Sequence, residues 1–113
     1  MQILVTGSDN LRRITHSAHL ASEGFDVVEA QTYRDAQTIL RAGMLPQLIV
    51  INVKPADASA GAFVEWVRGE HHDVQIVAVG GDGAALGADV ALPLSIDTHS
   101  LIRALHLAAY SST

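Results

Sequence analysis

The chain has 113 residues, 49% hydrophobic and only 4% aromatic, which supports one domain with an aliphatic core. Seven Lys and Arg against twelve Asp and Glu leave a formal net charge of -5, and Arg12-Arg13 is the sole adjacent basic pair, so direct binding to nucleic acid or an anionic membrane is not expected. With no cysteine, no leader-like segment and no apolar run near the roughly 20 residues of a spanning helix, the expectation is a soluble cytoplasmic protein without disulfides or thiolate chemistry.

Apolar bursts alternate with helix-period stretches along the whole chain. Gln2 to Thr6 (Q-I-L-V-T) is the first expected strand, closed by the breakers Gly7-Ser8-Asp9-Asn10. A helix is expected from about Leu11 to Glu23, with Leu11, Ile14, Ala18 and Ala21 on its buried face and Gly24 as its C-terminal cap. Asp26 to Ala30 is the second strand. Thr32-Tyr-Arg-Asp35 reads as a capping box opening a second helix, whose inner face carries Ala36, Ile39 and Leu40 until Gly43 and Pro46 end it. Leu48 to Val53 is apolar on both faces, as a central parallel strand must be. A third helix spans about Ala60 to Gly69 with Phe63, Trp66 and Val67 as its stripe. Gln75 to Val79 is the fourth strand and Asp89 to Leu92 the fifth. A last helix runs from about Asp97 to Tyr110, with Leu101, Leu105 and Ala108 facing in. Residues 1–110 thus form one domain, and 111–113 a polar tail or the start of a linker.

Strands alternating with helices over this length mean a parallel sheet covered on both faces, and 2-1-3-4-5 is the common five-stranded order. The functional crevice of such a sheet lies at the carboxyl ends of strands 1, 3 and 4. The residues there are Gly7 to Asn10, Asn52 to Asp57 and Gly80 to Gly83.

At those strand ends the sequence resembles the CheY-like receiver domain of bacterial response regulators. I-L-V-T-G-S-D-N-L-R-R resembles the family's I-L-I-V-D-D-D-P-x-x-R, and P-Q-L-I-V-I-N-V-K-P, from Pro46 to Pro55, resembles P-D-L-V-L-L-D-x-x-M-P. G-A-F-V-E-W-V-R, from Gly61 to Arg68, is similar to G-x-E-L-x-x-x-I-R, and G-A-D-V-A-L-P-L, from Gly87 to Leu94, is similar to G-A-D-D-Y-L-x-K-P-F. The resemblance implies an α/β, flavodoxin-like doubly wound sheet and a place in two-component signalling. It also implies a pocket in which an acidic pair holds Mg²⁺, an Asp accepts a phosphoryl group, and a Thr or Ser and a Lys bind its oxygens. Two anions meeting there require the metal and the Lys for neutralisation. Carried over position by position, the acidic pair falls on Gly7 and Ser8, with Asp9 following. The acceptor falls on Asn52, whose amide forms no acyl phosphate. The hydroxyl position falls on Gly80 and the Lys position on Leu92, just ahead of Pro93.

The resemblance therefore implies a degenerate receiver, or pseudo-receiver: not an enzyme, without metal or cofactor, acting by phosphorylation-independent protein–protein interaction. Asp57 and Asp82, accompanied only by Lys54, read as solvated loop carboxylates rather than substitute acceptors. Gly80 to Ala88 is too short for the helix the family carries there, which is truncated or missing, with Ala84-Ala85-Leu86 making at most one turn. Loss of that helix is expected to bare part of the sheet, making Asp82, Leu86, Val90, Leu92 and Leu94 the expected surface for a protein partner, whether a signalling or output domain or a second copy.

Competing readings start from the same residues. A conventional phosphoacceptor receiver with unusual ligands is the alternative within the family. I-L-V-T-G also opens a Rossmann-like nucleotide-binding fold, with Glu29 placed for a ribose, but Asn10 and Arg13 stand where that fingerprint needs glycines. Six histidines raise a metal site, yet His16/His19, His71-His72 and His99/His106 lack a recognised ligand spacing with a carboxylate on the same face, and most read as surface residues. Gly80-Gly81-Asp82-Gly83 lacks the Lys-Ser/Thr of a phosphate loop, and Ser8 has no base in a nucleophile-elbow context.

Overall fold

The computed structural model describes residues 2–55, 57–70, 73–81 and 86–111, the last three as backbone. Among them the chain forms β1 (Gln2–Gly7), α1 (Asn10–Ser22), β2 (Asp26–Glu29), α2 (Tyr33–Arg41), β3 (Leu48–Asn52), α3 (Ala58–Glu70), β4 (Gln75–Val79), β5 (Val90–Leu92) and α4 (Thr98–Ser111). Every strand pairing is parallel, in the order β2-β1-β3-β4-β5. The expected doubly wound topology is the observed one. Helix α4 runs one residue into the expected tail; residues 112 and 113 lie outside the description.

Alternation along the strands divides the core in two. Leu4, Ile49, Ile51 and Ile76 pack on the side of α2 and α3, against Ala36, Leu40, Phe63, Val64 and Val67. Ile3, Val5, Leu48, Val50, Val77 and Val79 pack on the opposite side, against Leu20 of α1 and Leu101, Leu105 and Ala108 of α4. Residues of β3 are fully buried, which explains a run with no polar alternation. Side chains open the helices as their residue types predict. Asp9 accepts from the Arg12 N–H at 3.2 Å, Thr32 from Asp35 at 3.0 Å and Asp97 from Ser100 at 2.7 Å.

Helix α1 does not present the expected face. Arg13, His16, Ser17 and Leu20 are buried, while Leu11 and Ile14 are 76% and 54% exposed and Ala18 and Ala21 also face solvent. Arg13 supplies the reason. From an inward position it bonds Glu29 at 2.8 Å, the Asn10 side chain at 2.6 Å and the Gln31 carbonyl at 3.0 Å, with the Gly7 carbonyl at 3.4 Å. A buried guanidinium with this many acceptors, together with Leu20, outweighs the apolar stripe.

Between β4 and β5 the sheet is less bare than expected. Residues 82–85, including Asp82 and most of the predicted turn, lie outside the description, but Leu86 and Ala88 pack onto the α2/α3 side and Ile76 to Val79 have no exposure. An ion pair latches this region. Arg68 reaches Asp89 at 2.7 Å and the carbonyls of Val74 and Gly87 at 3.1 Å, and Asp89 accepts from the Ile76 N–H at 2.7 Å.

The orientation of α1 is testable with two leucines of one helix. Leu20→Ala should cost about 2–5 kcal/mol of unfolding free energy. Leu11→Ala should stay within about 0.5 kcal/mol. Urea unfolding followed through the single Trp66 measures both.

Candidate functional site

Parallel register places Gly7, Asn52, Val79 and Leu92 side by side in one row across β1, β3, β4 and β5. Three of the residues singled out by sequence therefore meet at the carboxyl edge of the sheet, and Ser8, Asp9 and Gly80 begin the loops above them. No side chain in this row is ionisable.

Each position is occupied by a packing requirement. Gly7 has φ +132°, and a Cβ there would stand 2.5 Å from the Asn52 backbone nitrogen and nearer still to its carbonyl oxygen. An aspartate at this point would force β1 and β3 apart. Ser8 Oγ accepts from the Lys54 N–H at 3.1 Å, and the Asp9 N–H donates to the Asn52 carbonyl at 3.1 Å. The Asp9 carboxylate is spent on the start of α1 and on Arg12, 3.8 Å away. Gly80 has φ +82°; its Cβ would fall 2.7 Å from the Val53 carbonyl and 3.0 Å from Leu94 Cδ1, so a hydroxyl-bearing side chain does not fit. Leu92 is half-buried against the α1/α4 side, and Leu94, 38% exposed, lies over Gly80.

Asn52 of this row forms with His16 of α1 a buried polar pair that sequence reasoning missed. Asn52 has no exposure and His16 is 3% exposed, an exception to the expectation that most histidines lie on the surface. Burial pushes the His16 imidazole below its ordinary pKa; the neighbouring Asn52 amide opposes that shift, Arg12 and His19 add to it, and Asp9 opposes it weakly. His16 Nδ1, Ser17 Oγ and both Asn52 amide atoms lack a well-formed hydrogen bond within the protein. The signal for His16 was its spacing from Arg13 and Leu20, legible only once Arg13 is known to face inward. Among the described residues no three His, Asp or Glu side chains gather as metal ligands; His71 and His72 lie outside the description.

A second polar group lies beside the row. Tyr33 Oη donates to Asp57 at 2.8 Å, and Asp57 accepts from the Ser59 N–H at 3.0 Å. With Gly7, Ser8, Asn10, Gln31 and Thr32 they line a cleft of about 280 Å³. Burial alone would raise the Asp57 carboxyl, but hydrogen bonds from Ser8, Tyr33 and the Ser59 and Ala60 amides hold it low. Burial, with the Asp57 hydrogen bond and charge, raises the Tyr33 phenol. Glu29 is held by Arg13, and Arg13 fills the space between the β1–α1 turn and the end of β2. A pyrophosphate needs that space, so the dinucleotide reading loses its site. Of the expected partner-surface residues, Leu86 lines a groove with Val64 and Arg68, Val90 and Leu92 are half-buried, and Leu94 is exposed.

No family model and no curated protein matches the sequence. Solved structures do. A CheY-like response regulator receiver domain protein from Methanospirillum hungatei superposes with a TM-score of 0.84 over 98% of this chain and 94% of that one, at 15% identity. NtrX from Brucella abortus, solved in complex with ATP, gives a TM-score of 0.83 at 18% identity over 98% of this chain and 27% of that one, so this chain spans about a quarter of NtrX. The response regulator protein TrrA from Thermotoga maritima, solved in complex with Mg²⁺-BeF, gives 0.77 at 16% identity, over 95% and 97% of the two chains. These likenesses establish the receiver fold.

Two outcomes follow from the site. Gly7→Ala should lose at least about 1–3 kcal/mol of stability from its backbone conformation alone, and Gly24→Ala, where a Cβ meets nothing within 4 Å, isolates the cost of the steric contact. For pH, a His whose folded pKa is lowered leaves the unfolded chain binding the proton first. Stability should therefore be whole above 6.5, the ordinary value, and fall as pH drops through it. Urea midpoints at about pH 7.5 and about pH 5 measure the loss, and His16→Gln should flatten it.

Proposed function

We propose that this chain is a degenerate receiver domain of two-component-type signalling, acting by contact with a protein rather than by accepting a phosphoryl group. One observation carries the reading: the positions where receiver chemistry needs charge or a hydroxyl are engaged in holding the fold. Gly7 and Gly80 have no room for a side chain, the Ser8 hydroxyl ties down Lys54, and Leu92 packs half-buried against the core. Asn52 supplies an amide where an acyl phosphate needs a carboxylate.

Charge compensation argues the same way. A dianionic phosphoryl group bound beside a carboxylate requires a metal and a cation. The row contains neither a metal ligand set nor a Lys, and Asp9 is already committed to α1 and Arg12. Asp57 is ionised and hydrogen-bonded, but its partners are hydroxyls and amides rather than a cation. The occupant of interest is then another protein, recognised by the surface of the fold, in the cytoplasm, with no cofactor. The acidic balance of the chain speaks against direct nucleic-acid binding, and no described helix is long and apolar enough to cross a membrane.

An NMR amide titration with Mg²⁺ followed by beryllofluoride, a mimic of aspartyl phosphate, tests the proposal. Resonances of Gly7, Asn52, Asp57 and Gly80 should stay in place throughout. A saturable shift at any of them would restore a switchable receiver and overturn the reading.

A further inference from the structure

Asp57 stands immediately before α3, where a carboxylate is drawn to the N–H groups that open the helix. Its Oδ1 accepts from the Ser59 N–H at 3.0 Å and its Oδ2 from the Tyr33 phenol at 2.8 Å, and the Ser8 hydroxyl is a further donor. All of these donors are neutral, so the charge they hold on the carboxylate is not cancelled. The three ion pairs among the described residues take Asp9, Glu29 and Asp89. Lys54, the nearest cation along the chain, gives its backbone N–H to Ser8 and joins none of them. Arg13, which bonds Asn10 and Gln31, is neutralised by Glu29 at 2.8 Å. The cleft of about 280 Å³ beside Asp57 is therefore lined by hydroxyls, amides and one negative charge, and by no cation. We propose that this cleft is a binding site for a primary ammonium group, carried by a lysine of a protein partner or by a free alkylamine.

The donor and acceptor set selects the cation. A divalent metal needs several anionic oxygens, and among the described residues no such group of ligands gathers. A guanidinium seeks both oxygens of a carboxylate in one plane. Here Ser59 holds one and Tyr33 the other. An ammonium asks less, being a compact charge whose three donors turn to suit their acceptors. The remaining lone pairs of Asp57 supply one acceptor. The Tyr33 oxygen, which spends only its proton on Asp57, supplies a second. This wall is also held in advance. Tyr33 stacks on Phe63 with ring centroids 5.1 Å apart, and Phe63 on Trp66 at 6.4 Å, so little ordering of the phenol is left for the ligand to bring about. The net charge of -5 favours the approach of a cation.

This inference goes beyond the proposed function and stands whether or not the row takes a phosphoryl group, because Asn52, Gly80 and Leu92 do not line the cleft. NMR amide titrations of the whole chain to roughly 20 mM, with n-butylammonium and with a capped Gly-Lys-Gly tripeptide, test it. Both probes should shift Ser8, Thr32, Tyr33 and Ser59 saturably. Asp57→Asn, whose amide oxygen still opens α3, should weaken both at least about tenfold, and Tyr33→Phe about two- to tenfold. Tighter binding of the tripeptide assigns the site to a lysine of a protein partner, and equal affinity assigns it to a free amine. Absence of saturable shifts with either probe overturns the proposal. So does binding that Asp57→Asn leaves unchanged, or equal affinity for the tripeptide with its lysine acetylated, which removes the charge.

Discussion

The close approach of β1 and β3 at Gly7 and Asn52 governs this structure. With no side chain on Gly7, the backbones meet directly, the Asp9 N–H reaches the Asn52 carbonyl, and the Ser8 hydroxyl takes the Lys54 N–H. The β1–α1 turn is thereby stapled over the end of β3. Arg13 extends the staple sideways to Glu29 and Gln31, which fixes the rotation of α1 and brings His16 over Asn52. A carboxylate at either of the first two loop positions would have to displace this arrangement.

An uncharged row at this edge of the sheet has its own cost. A buried amide and imidazole without well-formed partners each forgo about 1–3 kcal/mol. A cluster of carboxylates in the same place would repel one another and require a cation to be stable at all. The buried neutral pair needs neither metal nor Lys, and its weakness is confined to acidic pH, where His16 must take a proton or the fold must give way. The same logic appears at β5. Where a longer connection would cover the sheet with a helix, Arg68 and Asp89 hold the short one against α3 and β4, and Leu86 and Ala88 fill the space.

Rotation of α1 links interior and surface. Placing Arg13, His16, Ser17 and Leu20 inward sends Leu11, Ile14, Ala18 and Ala21 outward, so the polar anchoring of the β1–α1 turn and the apolar stripe on the surface are two consequences of one choice. Helices of ordinary amphipathic pattern do not face this choice, because their only apolar stripe is the one that packs.

Hydrophobic periodicity and breaker residues were sufficient for the element order, the parallel sheet, the two-sided burial of β3 and the inward face of α4, since these depend on local pattern and on few allowed connections. The crevice positions Gly7, Ser8, Asn52 and Gly80 follow from the same pattern, since each ends a strand or opens its loop, whereas Leu92 is implied by the family resemblance alone. Tertiary structure alone decided which side of α1 is buried, because the acceptors of Arg13 come from β1 and from the segment after α1, and no local period encodes them. It also decided that Gly7 and Gly80 leave no room for a side chain, and that Tyr33 meets Asp57, since each depends on how closely segments distant in sequence approach. Sequence by itself determined which residue types stand at the carboxyl edge of the sheet; the packing of β1 on β3 determined the space around them, because a backbone-to-backbone contact at Gly7 excludes every side chain larger than hydrogen.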